Sequence, residues 1–204
     1  MKISRAGVTV AAVLILQVVV RAIDPDVTPA DLQRAISIAI SDDNARARFH
    51  DSYRIPANDS TVELIETITE FRRFVMASEE QLLLGNWMLA RGGFDSKGRT
   101  LRDLLLPLRG QVSIRIRLRF HPLHSYTGMP ATDVMVGEPS FQPLDVIRTP
   151  IMTSTDQAGL TIMTGATVET FFNAPSFHDR ALPVRIVFDG KELVRALVDF
   201  SKID

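Results

Sequence analysis

Residues 113–120 alternate between polar and apolar types without a break, and this segment restricts the possible folds more than any other. A period of two places successive side chains on opposite faces of a β-strand. The segment therefore predicts a strand in a sheet with one buried face. The apolar set faces the core and the basic set faces the other way: Ile114, Ile116, Leu118 and Phe120 against Arg115, Arg117 and Arg119.

The rest of the C-terminal half has the pattern of short strands separated by turns. Strand candidates lie at residues 134–136, 146–147, 160–172, 184–188 and 193–200. Asp189-Gly190, between the last two, suits a type I′ hairpin turn, in which both central residues have positive φ. Residues 109–204 are thus predicted to form an antiparallel β-sandwich.

Residues 23–108 carry helical patterns instead. Thr28-Pro29 resembles an N-cap followed by a proline in the first turn, so a helix is expected to begin there. Residues 60–63 resemble a capping box, and apolar residues then recur at helical spacing. This pattern predicts one long helix over residues 61–90, with the only tryptophan near its end, in the core or an interface. The expected fold class is α+β, with a helical N-terminal part packed against the C-terminal sandwich.

Residues 1–22 have the layout of a secretory signal peptide. Lys2 and Arg5 provide a basic start, residues 6–20 form an apolar run, and small or β-branched residues flank Arg21. The run of 15 residues is shorter than the roughly 18–20 residues that a membrane-spanning helix needs. We therefore expect cleavage after Ala22. The alternatives are an uncleaved signal anchor and a buried strand or helix.

Charge and cysteine content exclude several classes of protein. The chain has 23 basic and 24 acidic residues, and removal of the three basic residues of the leader leaves 20 against 24. Such a balance provides no overall attraction for nucleic acid. The absence of cysteine excludes disulfides, thiolate zinc sites, iron–sulfur clusters and a cysteine nucleophile. No cofactor is expected.

Residues 93–100 copy the spacing of a phosphate-binding loop, except that Arg99 stands where the motif requires lysine. That loop needs a preceding strand and a long following helix. Here a helical pattern precedes it and Pro107 follows closely. We therefore expect a polar loop, in which Thr100 caps a short helix extending to Leu106.

The three basic residues of the alternating strand, Arg115, Arg117 and Arg119, form the arginine row, which is a candidate anion site. Guanidinium groups at alternate positions of one strand lie about 6.5–7 Å apart. Their planar geometry suits phosphate, sulfate or acidic sugars. The alternative is pairing with carboxylates on neighbouring strands, for which Glu169 and Asp199 are candidates.

His121 and His124 form a weaker candidate for a metal site, which His178 could complete. Their spacing of three in a proline-containing turn matches neither the alternate positions of a strand nor the i, i+4 spacing of a helix. Ordinary hydrogen bonds at a turn are therefore the main alternative.

These features favour an exported, soluble, non-enzymatic module of the envelope or the extracellular space, periplasmic or secreted. Its partner would be a protein, a glycan or another cell-surface component. No Gly-x-Ser-x-Gly, Ser-x-x-Lys or His-Glu-x-x-His motif supports catalysis. The alternatives are a hydrolase acting on an envelope polymer and a membrane-tethered assembly factor that keeps its signal anchor. A cleft that contains His121, His124 and His178 with a carboxylate would favour the enzyme. A flat or apolar exposed patch at a sheet edge would favour the binding module.

Overall fold

The computed structural model describes residues 27–121, 128–154, 161–177, 181–200 and 203. The predicted signal peptide, residues 1–22, lies outside this part of the chain. The described residues form helices and antiparallel sheets, with the helices in the N-terminal part and most strands in the C-terminal part. This confirms the predicted α+β class and the order of its two parts.

The described ranges contain five α-helices: α1 (Pro29–Ala39), α2 (Asp43–Asp51), α3 (Glu70–Leu83), α4 (Trp87–Ala90) and α5 (Leu101–Leu105). As predicted, α1 begins at Pro29. Its cap is reciprocal, because Thr28 Oγ1 accepts from the Asp31 amide and Asp31 Oδ2 accepts from the Thr28 amide. Within the same ranges no helix is both long and apolar enough to cross a membrane.

Eight strands of the described chain form two antiparallel sheets. They are β1 (Arg54–Ile55), β2 (Val62–Ile68), β3 (Gln111–Arg119), β4 (Thr132–Val136), β5 (Asp145–Ser154), β6 (Thr161–Asn173), β7 (Ala181–Phe188) and β8 (Lys191–Asp199). The larger sheet has the order β1-β2-β3-β6-β5 and the smaller β4-β7-β8. Since β2 pairs with β3, the larger sheet takes strands from both sides of the predicted boundary at residue 108.

The predicted long helix over residues 61–90 is wrong. The first part of this segment is strand β2. Thr69 then caps the start of α3, and Gly85 follows the end of α3. Apolar spacings of three and four fit a helix, but pairing with β3 selects a strand. The residues from Ile65 to Ile68 are all buried, because the sheet core covers one face of β2 and α3 lies against the other. The alternation by which a strand is recognised is therefore lost.

The alternating strand and the last hairpin, which had the clearest strand patterns, are confirmed. β3 buries its apolar set and turns the arginine row to the opposite face. β7 and β8 form the predicted hairpin, in which Asp189 and Gly190 have φ values of 48° and 78°. Positive φ at both central positions is typical of a type I′ turn.

Two apolar clusters stabilise the fold. The larger contains side chains from both sheets, among them Ile116 of β3, Phe172 of β6 and Ile186 of β7. The smaller joins α1 to α3 and the segments that follow. Arg73 of α3 reaches Ser113 of β3, so the helix lies on the face of the larger sheet that carries the arginine row.

Gly85 ends α3 in a left-handed conformation, with φ of 77°. Its amide donates to the Leu82 carbonyl and the Asn86 amide donates to the Gln81 carbonyl, the two bonds of a Schellman motif. No atom lies within 4 Å of an added Cβ. Gly85→Ala should therefore cost only backbone strain, about 1–2 kcal/mol of unfolding free energy, which urea denaturation measures.

Gly128→Ala is the matched control for this prediction. Gly128 also has open space around the position of a Cβ but does not have positive φ. Its replacement should leave the free energy of unfolding unchanged or slightly raised. Equal losses in the two variants would contradict the assignment of strain to Gly85.

Candidate functional site

The larger sheet neutralises two members of the arginine row. Arg115 donates from Nε and Nη2 to Glu169 Oε2 at 3.0 and 2.8 Å, and its Nη1 lies 3.5 Å from Glu66 Oε1. Arg119 Nη2 lies 3.1 Å from Glu63 Oε1. Carboxylates of the neighbouring strands therefore already occupy these guanidinium groups.

Arg117 differs from its two neighbours in the row. It is exposed, and it forms no ion pair with another residue of the described chain. Of the two predicted carboxylate partners, Glu169 does pair with the row, whereas Asp199 belongs to β8 of the smaller sheet. To bind an anion with all three arginines, Arg115 and Arg119 would first have to leave their carboxylates. Anion binding by the row stays a prediction.

Only one of the three histidines of the predicted metal site can be placed. His121 follows β3 and is exposed, while His124 and His178 lie outside the described residues. Among the residues that are described, no group of three His, Cys, Asp or Glu side chains is placed to hold a metal ion. The metal site therefore stays a prediction. His50 faces Glu79 instead, with 3.0 Å between Nε2 and Oε2.

A buried polar network fixes α3 to the larger sheet. Arg72, in the first turn of α3, forms an ion pair with Glu66 of β2, and both side chains are less than a tenth exposed. Arg72 Nη1 also donates to the Thr67 carbonyl at 2.6 Å, and its guanidinium lies 4.9 Å from the centre of the Tyr53 ring. His50 Nδ1 lies 3.4 Å from Arg72 Nε. The buried cation thus has a carboxylate, a carbonyl and an aromatic face around it.

Arg73, the next residue, makes a second set of contacts with the sheet. Its guanidinium lies 3.3 Å from the carbonyls of Leu108 and Gln111 and 3.4 Å from Ser113 Oγ. Ser113 donates in turn to Glu169 Oε1 at 2.6 Å. Burial lowers the pKa of Arg73, and the charge of Glu169 opposes that effect. The carboxylates Glu66 and Glu169 of this network are engaged by arginines and by the Ser113 hydroxyl, so the network holds the helix in place.

The sequence pattern did not predict this network. Arg72 and Arg73 lie between Phe71 and Phe74. Two charges inside an apolar helical segment were the only sign in the sequence that these arginines could be buried. Their partners come from strands on both sides of the helix in sequence. Only the folded chain brings those groups together.

An exposed apolar surface lies where α3 ends and α4 begins. We call it the apolar tip, and it consists of the side chains of Leu83, Leu84, Trp87, Met88 and Phe94. The exposed fraction is 88% for Leu83 and 71% for Met88, so these side chains protrude from the surface. Trp87 is 57% exposed, so of its two predicted placements, the core or an interface, the core is excluded. Apolar side chains grouped in this way are typical of a contact surface.

A groove of about 640 Å³ lies beside the apolar tip. Its lining combines apolar side chains, Ile40 just after α1 with Leu83 and Trp87, and polar or charged ones, Arg46, His50, Glu79 and Arg91. Because Ile40 is itself half exposed, the groove extends the apolar surface of the tip toward α1.

Tight turns hold the tip in position. The Gly93 amide donates to the Met88 carbonyl at 2.8 Å, and a Cβ on Gly93 would lie only 2.8 Å from that oxygen. The next loop is closed by Asp95, whose Oδ1 accepts from the amides of Lys97 and Arg99 at 2.8 Å. The hydrogen bond from the Arg99 backbone is the main cause that lowers the pKa of Asp95. The carboxylate therefore stays ionised and keeps the loop closed at neutral pH.

The loop at residues 93–100 does not have the surroundings of a phosphate-binding loop. It follows α4 and precedes the five-residue α5. The predicted cap is confirmed, because Thr100 Oγ1 accepts from the Asp103 amide at 3.2 Å and Asp103 Oδ2 accepts from the Thr100 amide at 2.8 Å. A 3₁₀ turn, Leu106–Leu108, then leads to β3. The loop supports the tip. Because α4 precedes it in place of a strand, it lacks the arrangement that a phosphate-binding loop needs.

The apolar tip is the candidate functional site on the grounds of its geometry. Its side chains are apolar, and it can bind an apolar surface. Comparison of the chain with protein-family models, with curated proteins and with solved structures gives no match.

Proposed function

We propose that this protein is an exported, soluble, non-enzymatic binding module of the cell envelope or the extracellular space. Its two sheets pack face to face as a β-sandwich, with α3 on the outer face of the larger sheet. The shared apolar cluster of the two sheets supports this arrangement. The signal-peptide layout of residues 1–22 supports export.

The apolar tip is the observation that carries the proposal. Five large apolar side chains within residues 83–94 stay exposed. Trp87 shares one depression with Met88 and Phe94 and another with Leu83. The Schellman motif at Gly85 and the close approach at Gly93 hold the turns that carry these side chains. A preorganised surface loses little conformational entropy when a partner binds. The polar network around Arg72 and Arg115 is paired internally, which favours a structural role for it over a catalytic one.

Export is tested by recovering the chain from the cell that produces it. We expect mass spectrometry to find a protein that begins at Ile23, in the periplasmic or secreted fraction. An intact chain in the membrane fraction would instead support the retained signal anchor. An intact chain in the cytosol would contradict export and the proposed function with it.

A further inference from the structure

We infer that the apolar tip inserts into the surface of a lipid bilayer that contains anionic headgroups. The inference rests on the proposed function, since it names the partner of the same surface. It follows from the shape of the tip and from the charges that surround it.

The shape of the tip favours a fluid partner. Leu83, Met88 and Phe94 are each more than 60% exposed, so a rigid protein would need a deep matching cavity to cover all three. A bilayer surface adapts to protruding side chains. The central Trp87 is the residue type that prefers the interface between headgroups and acyl chains.

The cations beside the tip are placed to meet anionic headgroups. The Arg91 guanidinium lies 5.7 Å from the centre of the Trp87 ring. Lys97 is exposed in the loop that follows Phe94, and it has no ion pair with any other described residue. Long cationic side chains of this kind reach toward headgroups while their apolar neighbours lie deeper.

The acids near the tip are mostly occupied. Asp95 accepts from Arg99 Nε at 2.9 Å, and Glu79 faces His50. Glu80 is exposed, one helical turn before Leu84. Among the residues that the structure describes, the exposed charges left next to the tip are two cations, Arg91 and Lys97, and one anion, Glu80. This balance favours an anionic surface.

Trp87 is the only tryptophan in the chain, so its fluorescence tests the inference in the processed protein, which begins at Ile23. The processed protein is mixed with vesicles of phosphatidylglycerol and phosphatidylcholine in equal parts, with bromine on the acyl chains as a quencher. We expect a blue shift and quenching of Trp87, both weaker in phosphatidylcholine alone and at high salt. Because no other tryptophan contributes and the leader is absent, the signal reports on the tip.

Matched substitutions separate the contributions of charge and apolar area. Lys97→Gln should lower the ratio of inserted to free tip about fivefold, and Glu80→Gln should raise it. Phe94→Ser should lower the ratio about tenfold, because it removes an apolar side chain from the contact. Lys191→Gln and Leu197→Ser, at exposed positions of β8, are controls that should leave it unchanged.

Absence of Trp87 quenching in anionic vesicles at low salt would overturn the inference. A blue shift that depends on protein concentration without lipid would also overturn it, in favour of a second copy covering the tip. Equal effects of Lys97→Gln and Glu80→Gln would overturn the preference for anionic headgroups. The proposed function fails on a different measurement, the cytosolic recovery of an unprocessed chain, so the two failures can be told apart.

Discussion

Glu66→Gln is expected to lower the free energy of unfolding by about 3–5 kcal/mol. The substitution keeps the size of the side chain but removes the carboxylate that faces Arg72, which is 3% exposed. A buried guanidinium without a counterion is costly, because it has lost water and gains no compensating charge. Urea denaturation followed by circular dichroism gives the free energy for wild type and variant.

Glu63→Gln is the control for the same sheet face. The ion pair between Glu63 and Arg119 is exposed, since the exposed fraction of the side chain is 40% for Glu63 and 68% for Arg119. Its loss should therefore cost about 0–1 kcal/mol. Adding Arg72→Met to Glu66→Gln should restore much of the lost stability, because it removes the unpaired charge. If Glu66→Gln costs no more than Glu63→Gln, the network does not fix α3 in the way described.

Phe172→Ala is expected to lower the free energy of unfolding by about 3–5 kcal/mol. Phe172 is fully buried in β6, within the cluster that both sheets share. Its ring also meets Phe177 edge to face, with 6.1 Å between centroids. Truncation removes this contact and leaves a cavity that a paired strand cannot close. Chemical denaturation measures the loss.

Phe94→Ala provides the comparison within the same residue type. Phe94 is 62% exposed in the apolar tip, so its truncation should change the free energy of unfolding by no more than about 0.5 kcal/mol. This result would also show that tip variants fold normally, which the vesicle experiment requires. A loss as large as that of Phe172→Ala would contradict the exposed position of the tip.

The buried network and the apolar tip lie at opposite ends of α3. Arg72 and Arg73 fix the first turn of the helix to the sheet, and Gly85 ends the last turn beside Trp87. Helix α3 has 14 residues and is about 21 Å long. A helix held at its start presents its other end in a constant direction, which gives the tip a defined position for binding.

Local sequence patterns predicted the elements whose stability depends on near neighbours in the chain. The start of α1 at Thr28-Pro29 and the cap of α5 at Thr100 follow from side chains that bond to amides three residues away. The turn at Asp189-Gly190 follows from positive φ. The strand at residues 113–120 follows from alternation, since one of its faces is apolar and the other basic.

The sequence indicated only that an exposed apolar patch would favour a binding module, and it placed that patch at a sheet edge, whereas the apolar tip lies at the end of α3. Its residues lie in a segment whose apolar spacing fits a buried helix equally well, and this is why the core and an interface were both expected for Trp87. Whether such a helix face is covered depends on what the rest of the chain packs against it. Here α1 covers part of α3, and the end of α3 stays exposed.

The sequence by itself determined the α+β class, the arginine-lined strand, the last hairpin and the caps of α1 and α5, because each depends on a local period or a bond within a few residues. The tertiary structure alone decided that residues 62–68 form a strand, that Glu66 meets Arg72, and that the apolar tip stays exposed. Those outcomes depend on which distant segments pair and pack, and neither spacing nor composition carries that information.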